Sequence, residues 1–189
     1  LGGMAQRAGL INSIRAQEDH VLLLDAGDIF QGTPYFNFYG GELEFKLMSK
    51  IKYDAATLGN HDFDNGLEGL KKQLPHANFP FLIVNYDFTD TILNNEFRPY
   101  KVFNKGALRV AVMGLTTQDT KKLGNPEFMG GISFSAPVDE AKKLVPQLRE
   151  KADIVIAATH MGHYQDASFG INAPGDVTLA RSVPGIDMI

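Results

Sequence analysis

The chain has 189 residues, a net charge of −4 at pH 7, and a composition that is 44% hydrophobic and 21% charged. This is enough for one domain with a well-buried core, and its acidic balance excludes a nucleic-acid surface built on bulk positive charge. It contains no cysteine, which excludes disulfides and thiolate-bound zinc, and no apolar run approaches the roughly 18 residues of a membrane span.

Met4, Ala8, Leu10, Ile11 and Ile14 recur at helical spacing and predict a helix ending near Gln17. Val21 to Leu24 is a short apolar run of the kind found in strands covered on both faces. A loop follows from Asp25 to Pro34, then a helical face at Leu43, Leu47, Met48 and Ile51. Asp54 to Leu58 predicts a short strand entering a loop at Gly59, and Leu67, Leu70 and Leu74 a helix stopped by Pro75. Phe79 to Val84 reads as a strand, and Asn85 to Asn95 as a loop.

Tyr100 to Phe103 and Leu108 to Leu115 read as two strands of a hairpin turning at Asn104-Lys105-Gly106. A helix is expected from Ser135, a candidate N-cap, to about Lys151, then a buried strand from Asp153 to Thr159 and a last helix over Val177 to Ser182. The chain opens inside a helical pattern and closes, over Val183 to Ile189, on a turn running into a new strand, so it is expected to be a piece of a longer protein. Alternating strands and helices with one hairpin predict an α/β fold with a mixed sheet.

The polar groups that could do chemistry stand where strands hand over to loops, the usual place for them in α/β proteins. Asp28, on a tight glycine turn, is either a carboxylate bridging two hydrolytic metal ions or a cap of its own turn. Asn60 offers a neutral oxygen to a metal, or is a turn asparagine after Gly59. His61 is a ligand or a proton donor. Its three-residue spacing to Asp64 favours a pair in which the carboxylate fixes the imidazole tautomer and leaves the other ring nitrogen free to protonate a leaving oxygen.

Asp62 is expected to point away from that site. His160, delivered by Ile154 to Ala158, is a candidate zinc or manganese ligand. His163 reads as a second ligand, a substrate contact or a surface histidine, and His20 and His76, beside helix ends with polar neighbours, as ordinary residues. No GxxxxGK phosphate loop and no Gly-x-Ser-x-Gly elbow is present.

Gly27-Asp28, Gly59-Asn60-His61-Asp62 and His160, in that order, resemble the calcineurin-like metallophosphoesterases. Gly59 to Asn65, Ala157 to Tyr164 and Asn172-Ala173-Pro174-Gly175-Asp176 look like the 5′-nucleotidase and UDP-sugar hydrolase branch, and the similarity includes Gly114 to Thr117 and Gly124 to Glu127. The resemblance implies an α/β, four-layer α/β/β/α sandwich with mixed sheets. It implies a centre of two divalent ions (zinc, manganese, iron or cobalt) with Asp28 as the bridging carboxylate, Asn60 and His160 as ligands, and His61 with Asp64 as the dyad that assists the leaving group.

It also implies a nucleotide or sugar-nucleotide substrate and a periplasmic or extracellular location. Against the family pattern, residues 1–189 carry a partial domain. The Asp-x-His motif of the first strand, the closing Gly-His motif and a separate C-terminal substrate domain are not in the sequence. The chain alone is therefore expected to be inactive or nearly so, and the missing first strand to leave an open sheet edge through which copies associate. The competing readings are a phosphodiesterase of the same superfamily and a non-catalytic binding module.

Overall fold

Odd and even residues of the short strands face different cores, and this parity organises the molecule. The structure, a computed structural model, describes residues 2–165 and 174–189. Strands β1 (Leu24–Asp25), β2 (Ala55–Thr57) and β3 (Phe81–Leu82) form a parallel sheet in the order β1-β2-β3, with Leu24 opposite Ala55 and Ala56 opposite Phe81. Further along, β4 (Tyr86–Asp87) pairs antiparallel with β7 (Ser133–Phe134). A mixed sheet in the order β5-β6-β8 is built from β5 (Tyr100–Lys105), β6 (Leu108–Thr116) and β8 (Ile154–His160). β5 and β6 are the antiparallel hairpin; β6 and β8 run parallel, bringing Thr116 opposite His160.

Leu23, Ala56, Phe81 and Ile83 face one core, which is rich in phenylalanine and lies under the helices α1 (Met4–Gln17), α2 (Pro34–Tyr39), α3 (Glu42–Lys50) and α4 (Gly66–Gln73). Their neighbours Leu22, Leu24, Ala55 and Leu82 face the opposite way and meet Val110, Val112, Ile154 and Ile156 of the mixed sheet. The alternate residues Ala111, Met113, Val155 and Ala157 pack outward on α6 (Pro137–Lys151) and α7 (Asp176–Ser182). Helices, sheet, sheet, helices: the four layers follow from period-two alternation along strands buried on both faces.

The two sheets approach tightly at Gly114. A methyl group there would lie 1.9 Å from the Leu82 carbonyl oxygen and 2.7 Å from Thr57 Oγ1, so only glycine fits. Asn85 ties the sheets further, donating to the Thr116 carbonyl (2.7 Å) and accepting from the Thr116 N–H (3.1 Å).

Several local expectations are corrected. Asn85 to Asn95 contains β4, whose residues pair with partners 46 and 48 residues on. The hairpin turns at Gly106 and Ala107, because Lys105 still pairs with Leu108. Ser135 does not cap α6; Ala136 is the N-cap and Pro137, with its preset φ, takes the first helical position. α2 and α5 (Thr120–Leu123) escape helical periodicity because they are too short to show it. At the chain's end, Asp187 donates to the Val155 carbonyl and Ala157 to the Met188 carbonyl, both at 2.9 Å, so this segment does run alongside β8.

Candidate functional site

Two loops cross at the carboxyl ends of β1 and β2, backbone against backbone. A methyl group on Gly27 would sit 2.4 Å from the Gly59 nitrogen, and one on Gly59 would sit 2.1 Å from Asp28 Oδ1. Both glycines are dictated by this crossing. Each loop is anchored by a buried phenylalanine two residues beyond its functional group: Phe30 after Asp28, Phe63 after His61. Phe30 packs between Phe36 and Phe45, with tilted rings whose centroids lie 5.2 and 5.0 Å away.

Asp28 adopts a left-handed φ of 57°, unusual outside glycine. Its Oδ1 accepts the His61 backbone N–H at 2.8 Å, and its Oδ2 lies 3.1 Å from His160 Nε2. Strand β8 delivers His160 to this point from the other sheet, and Nδ1–H of the ring donates to the Ala26 carbonyl at 2.9 Å. A carbonyl oxygen can only accept, so the tautomer is set and Nε2 faces the carboxylate. A bare lone pair against a carboxylate is unfavourable. A proton or a cation between them resolves it.

With a proton between them, each group favours its charged form. Burial pushes the Asp28 carboxyl up, but the hydrogen bond from His160 and the His61 N–H outweigh it and hold the group below the usual carboxylate range. Burial likewise disfavours the His160 imidazolium, and Asp28 more than compensates, raising the imidazole above its usual value. The alternative, a cation, suits the same donors: a carboxylate oxygen and an imidazole nitrogen whose partner nitrogen is tied to a backbone carbonyl, the usual arrangement of a ligating histidine.

Asn60 lies between Gly59, which touches Asp28, and His61, which donates to it. Its residue is buried, and among the described residues its side chain makes no hydrogen bond. Among the described residues no three His, Asp or Glu side chains gather as a metal-holding group. Asp28 and His160 thus fit one side of an ion.

The His61–Asp64 pair forms as the spacing predicts: Nδ1–H of His61 donates to Asp64 Oδ2 at 2.9 Å, and the imidazole is partly open to solvent. Gln31, which nothing in the sequence singled out, also donates to Asp64 Oδ2 from the other loop. Asp62 does point away from the site, and its destination is specific. It is fully buried and accepts the backbone N–H groups of Gly59, Asp28, Ile29 and Phe30. Burial pushes its carboxyl up to about 6, against the N–H groups that favour the charged form.

His163 is exposed, and its ring lies beside the Gln165 side chain. Asp176, at the start of α7, accepts from Thr159 Oγ1 at 2.7 Å and so braces the strand residue before His160. Asn172 and Ala173 lie outside the described residues. His20 sits against the Gly106 turn, where a methyl group would meet its ring at 2.4 Å.

A double-sheet sandwich with aspartate, histidine and an Asn-His pair at its strand ends defines a class, and comparison with known proteins agrees. The family model for the calcineurin-like phosphoesterases matches residues 2–189, and the chain belongs to that family. It is 51% identical over 195 aligned residues to a 5′-nucleotidase of Vibrio cholerae, and 44% identical over 188 to protein UshA of Escherichia coli. These alignments cover 99% and 96% of the chain but 35% and 34% of the relatives. Among solved structures, the 5′-nucleotidase precursor from Thermus thermophilus superposes with a TM-score of 0.86 at 35% identity, covering 98% of this chain and 35% of that one. The chain thus spans about a third of the length of the relatives it matches.

Proposed function

We propose that this chain is part of the catalytic domain of a metal-dependent phosphohydrolase that releases phosphate from nucleotides or cleaves sugar nucleotides. The observation carrying this reading is the meeting of Asp28 with His160 from opposite sheets, with the His61–Asp64 pair on the loop that donates to Asp28. Similarity to nucleotidases over nearly the whole chain supports the substrate class.

Asp28, Asn60 and His160 would hold two divalent ions of the zinc, manganese, iron or cobalt type. Such ions, when bound, neutralise phosphoryl oxygens and lower the pKa of a bound water. The remaining work falls to this chain's side chains. His61 keeps Nδ1–H on Asp64, which leaves Nε2 as the atom that delivers a proton to the departing oxygen. Asp64 stabilises the imidazolium and holds its ring in place, and Gln31 in turn holds Asp64. The partial openness of the imidazole leaves room for a phosphoryl group.

Residues 1–189 read as a partial domain with an incomplete ligand set. Three candidate ligands fall short of the number a hydrolytic ion pair needs, so turnover by this chain alone is expected to be weak. The outer edge of β1 carries no strand among the described residues, which supports association of copies through that edge. The location proposed for the parent protein is periplasmic or extracellular, on family likeness. No helix among the described residues is long and apolar enough to cross a membrane.

Phosphate release from a nucleoside monophosphate, measured with added manganese or zinc, tests this reading. A polypeptide carrying the full ligand set should turn over and lose activity with His61→Ala, while the 189-residue chain should do little. Turnover that is indifferent to His61 would overturn the assignment.

A further inference from the structure

We infer that Asp62 is a positioning residue: a buried latch that fixes the Asp28 loop on the Asn60–Asp64 loop, so that candidate metal ligand and candidate proton donor are held as one unit. The functional value of that latch rests on the phosphohydrolase reading above; its existence does not.

The Asp62 carboxylate lies at the bottom of the loop crossing. Its Oδ2 accepts from Gly59 at 2.7 Å and from Asp28 at 3.0 Å; its Oδ1 accepts from Ile29 at 2.9 Å and Phe30 at 3.0 Å. Three consecutive N–H groups of one loop therefore converge on a side chain of the other, more than thirty residues away. No backbone carbonyl among the described residues takes any of these four groups. Without Asp62 the buried N–H groups of Phe30 and Gly59 and the part-buried ones of Asp28 and Ile29 would lose their acceptor.

The arrangement is reciprocal. Asp62 takes the N–H of Asp28, while Asp28 Oδ1 takes the N–H of His61, the residue preceding Asp62. The first bond holds Asp28 in its left-handed conformation (φ 57°); the second sets its carboxylate, leaving Oδ2 for His160. One residue past the clamped stretch, Gln31 (φ 76°) reaches Asp64, the partner of His61. A single buried carboxylate thus governs the backbone that aims both Asp28 and Gln31. Asparagine has the same shape but one acceptor oxygen and an NH₂ group, so it would face at least two of the four N–H groups with a donor.

The test is NMR on the isotopically labelled chain, with Asp62→Asn, Asp62→Glu and Leu148→Ala as a distant core control. In the unsubstituted chain the amides of Asp28, Ile29, Phe30 and Gly59 should be protected from hydrogen exchange although they belong to no helix or strand, and Asp28 should show the strong intraresidue amide–Hα contact of a positive φ. Asp62→Asn should speed exchange at these amides about 10- to 100-fold, the loss expected of a charge-assisted hydrogen bond, and abolish the Asp28 signature. Asp62→Glu, which keeps the carboxylate, should restore both in part. Leu148→Ala should lower the melting temperature and leave the Asp28 signature intact.

Freely exchanging amides in the unsubstituted chain would overturn the proposal even if Asp62→Asn fails to fold. So would a folded Asp62→Asn that keeps the Asp28 signature and full protection. None of these readouts needs a metal or a substrate, so failure here leaves the phosphohydrolase reading standing, and loss of that reading leaves the latch standing.

Discussion

Asp28 Oδ2 and His160 Nε2 lie 3.1 Å apart although 132 residues separate them, one in the loop after β1 and the other at the end of β8 in the second sheet. The closeness depends on both halves of the sandwich. β8 sets the height of His160 by its register with β6, where Thr116 stands opposite it, and the Ala26 carbonyl sets the ring's rotation. The site is therefore a property of how the sheets meet, and substitutions at that meeting should be felt in stability as well as chemistry.

Gly59→Ala should cost about 3 kcal/mol or more of folding stability, because its methyl group would lie 2.1 Å from Asp28 Oδ1 and 2.3 Å from the Asp28 nitrogen. Neither atom can retreat without breaking the Asp62 and His61 bonds. Gly9→Ala is the matched contrast: it lies within α1 with nothing inside 4 Å of the added methyl. It should stabilise by about 0.5–1 kcal/mol through helix propensity alone. Urea denaturation of both variants measures the difference.

In a polypeptide with the full ligand set, His61→Ala should reduce kcat by roughly 10²- to 10⁴-fold, the usual contribution of a positioned proton donor. Asp64→Asn should reduce it less, because the imidazole stays while its orientation and charge support weaken. Gln31→Ala, one contact further out, should have the smallest effect of the three. Steady-state kinetics on a nucleoside monophosphate would rank them; a Gln31 effect as large as that of His61 would contradict the order.

Arg109 and Asp153 pair across the start of β6 and β8, at 2.9 Å. The hydrogen bonds from the Arg109 side chain and backbone hold the Asp153 carboxyl down to about 2, from an ordinary 3.8. A folded-state value below the unfolded one means the pair stabilises above about pH 4 and loses that contribution as pH falls toward 2. Both groups are solvent-exposed, so salt should weaken the effect. Carboxyl NMR titration should place the Asp153 midpoint well below 3.8, and Arg109→Gln should bring it back up toward that value.

Much of the geometry at the candidate site was legible in the chain because it is local or tied to strand ends. The three-residue step from His61 to Asp64 encodes their hydrogen bond directly. Apolar runs before Asp28 and His160 placed both at sheet edges. Gln31 was not legible, since its contact with Asp64 depends on how two loops cross. Asp62 was legible only as a residue facing elsewhere, because the partners of a buried carboxylate are backbone groups and leave no mark in side-chain spacing. The mixed sheet and its hairpin could be read from their long strands, whereas β4 and β7, two residues each, are shorter than any period can reveal. Their pairing is decided by tertiary context, with Tyr86 and Phe134 packed edge to face at 4.6 Å.

The most direct test of the account is anomalous diffraction from crystals of this chain soaked in manganese or zinc. A peak is expected within coordination distance, about 2.0–2.2 Å, of both Asp28 Oδ2 and His160 Nε2, with Nδ1 still donating to the Ala26 carbonyl. Ions bound only elsewhere, with His160 Nε2 still resting on the Asp28 carboxylate at saturating metal, would contradict it.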